Sequence, residues 1–394
     1  MDVTVKNKPL SGRVTVPASK SDMHRVLICA ALADKPFLVK NPSYNDDTEA
    51  TIRCLRALGA VIEQTGEGVA VTPLEAGARA PMLHCGESGS TLRFLLPVAA
   101  VVSDEAGFFG EGSLPSRPVW ALLSEMKKNG CVTTSDKLPL KLRGTLRSGV
   151  YEIPGNISSQ FVSGLLIALP LLAGDSRIVL TSQLESAAYA DMTLNTLADF
   201  GVSAERGENS FLIKGGQKYI SPAVYEVEAD WSSAAYFIAA NALGGEVNML
   251  PLNKESCQPD MAITKLAREL PDNVDVSEFP DLSPILAVLA CAKKRDTTLC
   301  GAARLRIKES DRLAETVRFI RELGGEAQEK GDSLVIHGKG RLSGGVTDSA
   351  NDHRIAMAAG IAAAVCDAPV TVRNAGCVNK SYPGFWEEIA RLSE

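Results

Sequence analysis

VTVPASKSDMHRVLICAAL, residues 14–32, carries three kinds of segment in quick succession. A β-branched run, Val14–Val16, enters a Pro/Ser turn, and the turn opens an apolar helix rich in Ala and Leu. Strand, polar turn and helix in that order predict a βα unit. Five later stretches share the order: MLHCGESGSTLRFLLPVAA (82–100), YEIPGNISSQFVSGLLIAL (151–169), YEVEADWSSAAYFIAANAL (225–243), VDVSEFPDLSPILAVLACA (274–292) and VTDSANDHRIAMAAGIAAA (346–364). Anchored on Ser19, Ser88, Ser158, Ser232, Ser283 and Asn351, the copies stand 69, 70, 74, 51 and 68 residues apart. Such a period marks repeated supersecondary units.

A second element lies between the copies. Segments 50–73, 120–142, 192–215 and 316–338 each read as an amphipathic helix that stops at Gly, followed by alternating residues. Gly there predicts a helix C-cap, and the alternation predicts a hairpin. In the short interval, MAITKLARELPDNVDVSEF (261–279) runs from helix to strand with little room for a hairpin. The chain therefore reads as six βαβαββ-like units, one truncated. Spread over 394 residues, they fit two domains of three units each.

Composition narrows the function classes. Hydrophobic residues make up 45% and charged residues 22%, which suits large cores, and the net charge of −6 argues against a nucleic-acid surface over the whole chain. Nine cysteines, an odd number with no CxxC pair, suggest neither a disulfide framework nor a zinc site, and are expected to be buried thiols in a reducing compartment. Four histidines without ligand spacing suggest no metal. The amino terminus lacks an apolar signal-peptide core, and runs such as FLLPVAAVV (94–102) are too short to span a bilayer, so a cytoplasmic protein is expected.

The turns of the repeated unit place Ser, Gly, Asn or Asp at helix starts. Capping alone explains such residues. Lys20, Arg25, Arg93 and Arg354 beside them also suit anions, which helix N-termini attract. In RIKESDRLAETVRFIRELGG (306–325), Leu313, Val317, Ile320 and Leu323 mark one apolar helix face. Lys308, Glu309, Asp311 and Arg312 crowd its start with more charge than capping requires.

Five motifs in order, SKSDMHR (19–25), GESGSTLR (86–93), SSQF (158–161), KESDRL (308–313) and NDHRIAM (351–357), resemble the enolpyruvyl transferase family. The likeness spans the whole chain and is closest to the branch acting on shikimate-3-phosphate. It implies an α/β (α+β) fold of two similar domains, each of three βαβαββ units, the inverse α/β barrel of that family. It further implies one domain of residues 1–18 plus 229–394, an inserted domain of 19–228, and an active site in the cleft between them. The implied reaction moves the enolpyruvyl group of phosphoenolpyruvate to the 5-hydroxyl of shikimate-3-phosphate, with no cofactor and no metal. The implied partners are those two small molecules, with no nucleic acid and no membrane, and the implied enzyme is a monomer.

Motif match also implies the site. Lys20, Gly89, Arg117, Gln160, Arg312, Arg354 and Lys380 are expected around phosphoenolpyruvate. Lys20, Ser21, Arg25, Ser158, Ser159, Gln160, Ser186, Asp281 and Lys308 are expected around shikimate-3-phosphate. Asp281, Glu309 and Lys20 are the expected catalytic groups: Asp281 as base for the hydroxyl, Glu309 as acid and then base at C3 of phosphoenolpyruvate. Three departures stand out. Glu87 occupies a turn where the family commonly has Asn, Arg304 replaces an uncharged polar residue, and the interval between Ser232 and Ser283 is short. Gly112 stands where the sister branch, which uses UDP-N-acetylglucosamine, carries a Cys.

Overall fold

The structure, a computed structural model, describes residues 1–75, 80–250 and 252–394. Contacts divide the chain into two compact units, Ala18–Glu228 and a second made of Met1–Pro17 with Ala229–Glu394. Among the described residues no helix is long and apolar enough to cross a membrane.

The described residues of the Ala18–Glu228 unit form the α-helices α1 (Lys20–Leu32), α2 (Asp46–Ala57), α3 (Gly89–Val102), α4 (Trp120–Lys128), α5 (Ser159–Ala168) and α6 (Ala187–Asp199). α1, α3 and α5 are buried on nearly every side, as helices that are apolar all round must be. Each starts at a serine whose hydroxyl accepts a backbone N–H of the first turn: Ser19 from Asp22, Ser88 from Thr91 and Ser158 from Gln160. These three are the sequence anchors. α2, α4 and α6 are followed by Gly59, Gly130 and Gly201, at φ of 110°, 103° and 70°, a region that only glycine enters cheaply.

After each of those glycines comes an antiparallel hairpin, and each hairpin completes a four-stranded sheet of one topology. Val61–Thr65 pairs with Gly68–Thr72, Val132–Thr133 with Leu140–Arg143, and Ala204–Arg206 with Ser210–Ile213. The inner hairpin strands pair antiparallel with Phe37–Lys40, Glu105–Phe109 and Ser176–Leu180. Those in turn pair parallel with Val224–Glu226, Met82–His84 and Val150–Ile153.

The other unit repeats the plan with losses. Its helices are α7 (Trp231–Ala242), α8 (Ile263–Leu266), α9 (Ser283–Cys291), α10 (Arg312–Glu322), α11 (His353–Ala362) and α12 (Phe385–Leu392). Asp230, Asp311 and Asp352 cap α7, α10 and α11, so the anchors Ser232 and Asn351 lie beside the caps and are not the caps themselves. Among the described residues of this unit one sheet is four-stranded, Asn273–Asp275, Asp296–Cys300, Ser333–His337 and Glu326–Lys330. A second, Gly345–Asp348 with Val370–Arg373, is closed by Val3–Val5. In the short interval, Glu246–Leu250 has one strand neighbour among the described residues, Ser11–Thr15. The Asn241 amide replaces the missing one: it accepts the Val247 N–H at 2.7 Å and donates to the Val247 carbonyl at 2.8 Å, as a neighbouring strand would.

Seven of the nine cysteines are buried, as expected; Cys257 is exposed and Cys300 half-buried, which corrects the reading of all nine as core thiols.

α5 approaches α3 closely at Gly164, where an added Cβ would lie 2.4 Å from the Arg93 carbonyl oxygen. Backbone cannot swing aside as a side-chain tip can. Gly164→Ala is therefore expected to destabilise the protein by about 1–3 kcal/mol. Urea unfolding checks this, and an unchanged midpoint would mean the helices part at no cost.

Candidate active site

In the Ala18–Glu228 unit the expected residues gather at the starts of α1, α3, α5 and α6. Lys20 is the first residue of α1, and its ammonium meets the Asp47 carboxylate at 3.0 Å. Arg25, one turn on, is buried. Its guanidinium donates to Thr193 Oγ1 at 2.8 Å, the Tyr189 carbonyl at 2.8 Å and the Ser21 carbonyl at 2.6 Å, which ties α1 to α6. Gln160, at the start of α5, accepts from Arg93 at 2.7 Å and donates to Ser90 at 2.8 Å, joining α5 to α3. Ser158 caps α5 and Ser159 is its first residue. Ser186 precedes α6 in the left-handed region, φ 54°. Gly89 opens α3 outside that region, so a positive φ is not what requires glycine here. Its nearest neighbour is the Arg117 guanidinium: an added Cβ at Gly89 would lie 2.8 Å from Nη1, a side-chain tip that would have to shift.

The other unit gathers Asp281, Lys308, Glu309, Arg312 and Arg354. Asp281 sits in a 3-10 turn, Pro280–Leu282, ahead of α9. Lys308 and Glu309 precede α10, Arg312 is its first residue, and Arg354 follows the cap of α11. Arg312 is 1% exposed and donates to three carboxylates: Asp281 at 2.8 Å, Asp352 at 2.9 and 3.2 Å, and Glu309. These contacts engage four of its five N–H groups. Burial works against its charge, but Asp352, Glu309 and Asp281 outweigh burial and hold the guanidinium firmly protonated. Asp281 also receives Lys308 at 3.3 Å on one oxygen and Arg354 at 3.3 Å on the other. Lys308 is pushed down to about 8, by burial first and then by Arg312 and Arg304, against the pull of Asp281 and Glu309. Lys380 is buried and donates to the Asn351 carbonyl at 2.9 Å. Asp311 caps α10 and holds Arg306 at 3.1 Å.

Buried hydroxyls at helix starts in one unit, with clustered cations and carboxylates in the other, suit anionic substrates and proton transfer. The EPSP synthase (3-phosphoshikimate 1-carboxyvinyltransferase) family profile matches residues 4–389. The chain belongs to the EPSP synthase family. A curated 3-phosphoshikimate 1-carboxyvinyltransferase from Clostridium kluyveri is 41% identical over 413 residues, covering 99% of this chain and 97% of that one. Its counterpart from Clostridium acetobutylicum is 39% identical over 408 residues, covering 97% and 95%. In fold, the chain is similar to the solved EPSP synthase of Acinetobacter baumannii, with TM-score 0.83 at 24% identity, covering 99% of this chain and 98% of that one. The enolpyruvyl transferase NikO of Streptomyces tendae gives TM-score 0.78 at 18% identity, covering 99% and 96%.

Within this EPSP synthase framework, sequence reasoning missed a set of buried acids. Asp352 was visible in NDHR, yet its double hold on Arg312 was not. Asp260 accepts the Ser232 hydroxyl, and burial, followed by repulsion from Asp281, raises its carboxyl to about 6. Glu87, the departure noted in the second turn, is half-buried and lays its carboxylate against Gly112: an added Cβ there would lie 2.5 Å from Oε2. Asp22 receives the Tyr225 hydroxyl at 3.2 Å on each oxygen.

Burial, and then the nearby Glu228 charge, raise the Asp22 carboxyl to about 7 despite Tyr225 and Arg25. An unfolded Asp titrates near 3.9. Between about pH 4 and 7 the folded chain thus binds a proton that the unfolded chain releases, and stability falls as pH rises through that window. Asp22→Asn is expected to be more stable than the parent by an amount on the order of 4 kcal/mol above pH 7. The gap should close toward pH 4. Urea midpoints across that range check it, and a pH-independent gap would assign the effect to packing.

Proposed function

We propose that this chain transfers the enolpyruvyl group of phosphoenolpyruvate to the 5-hydroxyl of shikimate-3-phosphate, giving EPSP and phosphate. The end-to-end match to curated 3-phosphoshikimate 1-carboxyvinyltransferases carries the reading. On resemblance alone, the enzyme works as a cytoplasmic monomer, and residues of both 19–228 and 1–18 plus 229–394 serve the one reaction.

The chemistry fits the groups present. The 5-oxygen attacks C2 of phosphoenolpyruvate as its proton leaves, and C3 gains a proton, giving a tetrahedral intermediate. The C–O bond to phosphate then breaks, C3 loses a proton, and the C2=C3 bond re-forms. Asp281 takes the hydroxyl proton, and Glu309 gives and removes the proton at C3. Lys20 stabilises charge on the departing phosphate. Each substrate carries a carboxylate and a phosphate, so the site needs many cations. Arg117, Arg312, Arg354 and Lys380 take phosphoenolpyruvate, beside the Gly89 backbone. Ser21, Arg25, Ser158, Ser159, Ser186 and Lys308 take shikimate-3-phosphate, and Gln160 touches both. Ser158 and Ser159 are suited to a phosphate because hydroxyl and N–H donors converge at the start of α5. The two 3.3 Å contacts to Asp281 are long for charge-assisted bonds, so Lys308 and Arg354 lose least on turning to an incoming anion.

Phosphate release from the two substrates tests the reaction, with UDP-N-acetylglucosamine as control acceptor. Release with the control alone would move the chain to the sister branch. Glu309→Gln and Asp281→Asn are each expected to slow turnover by a factor of roughly 10² or more, with shikimate-3-phosphate binding kept. Near-normal turnover in both would sink the assignment of the carboxylates.

A second prediction follows from Lys308, whose ammonium loses its proton near pH 8 in the free enzyme. Affinity for shikimate-3-phosphate should fall as pH rises above 8, by about tenfold per pH unit at most. Lys308→Arg, which stays charged, should flatten the profile. Calorimetric titration from pH 7 to 9.5 reads both.

A further inference from the structure

Asp47 lies outside the residues assigned above, yet it touches two of the elements that carry them. Lys20 occupies the first position of α1, where the positive helix end disfavours an ammonium on a flexible stem. Asp47 occupies the second position of α2, where the same effect favours a carboxylate. Their side chains are 14% and 12% exposed and meet at 3.0 Å. The main chain of Asp47 has its own contact: its carbonyl accepts the Thr91 hydroxyl at 3.3 Å, and Thr91 stands in the first turn of α3, two residues after Gly89.

A buried polar chain steadies that second contact. Thr91 Oγ1 lies 2.8 Å from Ser88 Oγ and 2.7 Å from Thr51 Oγ1, and Thr51 Oγ1 lies 2.7 Å from His24 Nδ1. Burial, then the charges of Lys20 and Arg25, keep His24 neutral. Its Nε2 is buried with no hydrogen-bond partner among the described residues. A stranded N–H costs more than a stranded lone pair, so the proton belongs on Nδ1. Nδ1–H then donates to Thr51, Thr51 donates to Thr91, and the Thr91 proton is directed at Ser88 and the Asp47 carbonyl. The chain runs from α1 through α2 to α3 and ends at the residue that holds Lys20.

We propose that Asp47 is a positioning residue for the transfer reaction: its carboxylate aims the Lys20 ammonium while its carbonyl sets the first turn of α3, so that Lys20 and the Gly89 turn meet phosphoenolpyruvate in fixed relation. This rests on the assignment of Lys20 and Gly89 to phosphoenolpyruvate made above. Asp47 does no proton transfer itself.

Two measurements test it. The first needs no turnover: acylation of the folded protein by an N-hydroxysuccinimide ester, followed by proteolysis and mass spectrometry of the peptide that carries Lys20. Asp47→Asn, by freeing the amine, should speed labelling of Lys20 at least threefold. An unchanged rate would show that Asp47 does not hold the ammonium, and would overturn the proposal. The second is kinetic. Asp47→Asn should lower kcat about tenfold and raise KM for phosphoenolpyruvate, with KM for shikimate-3-phosphate within twofold of the parent. In a Lys20→Arg background the same substitution should cost less than twofold further, because it acts through Lys20. Losses that multiply in the double variant, or kinetics of Asp47→Asn within twofold of the parent, would overturn it. A parent protein that releases no phosphate from either substrate pair would instead defeat the function proposed above, and the labelling result would still decide whether Asp47 holds Lys20.

Discussion

A guanidinium cannot lie in a protein interior without compensation, and Arg312, at 1% exposure, sets the terms for everything around it. Its three carboxylates come from separate places: the turn before α9, the loop before α10 and the cap of α11. Satisfying one charge thereby fixes three chain segments relative to one another. Asp352 does double duty, since it also accepts the Arg354 N–H at 2.9 Å and so starts the helix on which Arg354 rides. The carboxylates assigned to proton transfer are held by the same ion that gives the turn its shape. Lysine in place of Arg312 would keep the charge and lose the planar fork that reaches three partners.

The two units share a plan and differ in what organises their helix starts. In Ala18–Glu228, Ser19 and Ser88 hydroxyls cap α1 and α3, the Asn45 amide caps α2, the Thr51 and Thr91 hydroxyls link α2 to α3, and Gln160 and Arg25 extend the ties to α5 and α6. In the other unit aspartates do the capping, at Asp230, Asp311 and Asp352. Neutral caps leave room for anionic ligands at a positive helix end. Aspartate caps use that end up internally, and the unit must then draw its anion-binding capacity from Lys and Arg side chains.

The repeat was legible because each unit is local: strand, cap, buried helix, glycine stop and hairpin follow in chain order, with a signature for each step. Gly59, Gly130, Gly201 and Gly324 all adopt the positive φ their positions predict. The lost hairpin could be read from length alone, but its replacement by the Asn241 amide could not, since an Asn near a helix end usually signals a turn. The buried acids were illegible for a similar reason. Sequence displays Asp22, Asp47, Asp260 and Asp352 as ordinary polar residues near helix starts. Only packing shows which of them lose water and acquire a fixed partner. Cations were easier to place, because several in one motif exceed what capping explains.

Strands Val3–Val5 and Ser11–Thr15 find their partners far along the chain, at Val370–Arg373 and Glu246–Leu250. At a synthesis rate of about 5–20 residues per second, the first of these pairings waits tens of seconds for its partner to be made. Until then the early strands carry unpaired edges beside an inserted unit whose own sheets pair entirely within residues 37–226. The outer unit therefore completes its fold only after the last strand has cleared the ribosome, and the nascent chain must keep two orphan strands from pairing elsewhere in the meantime.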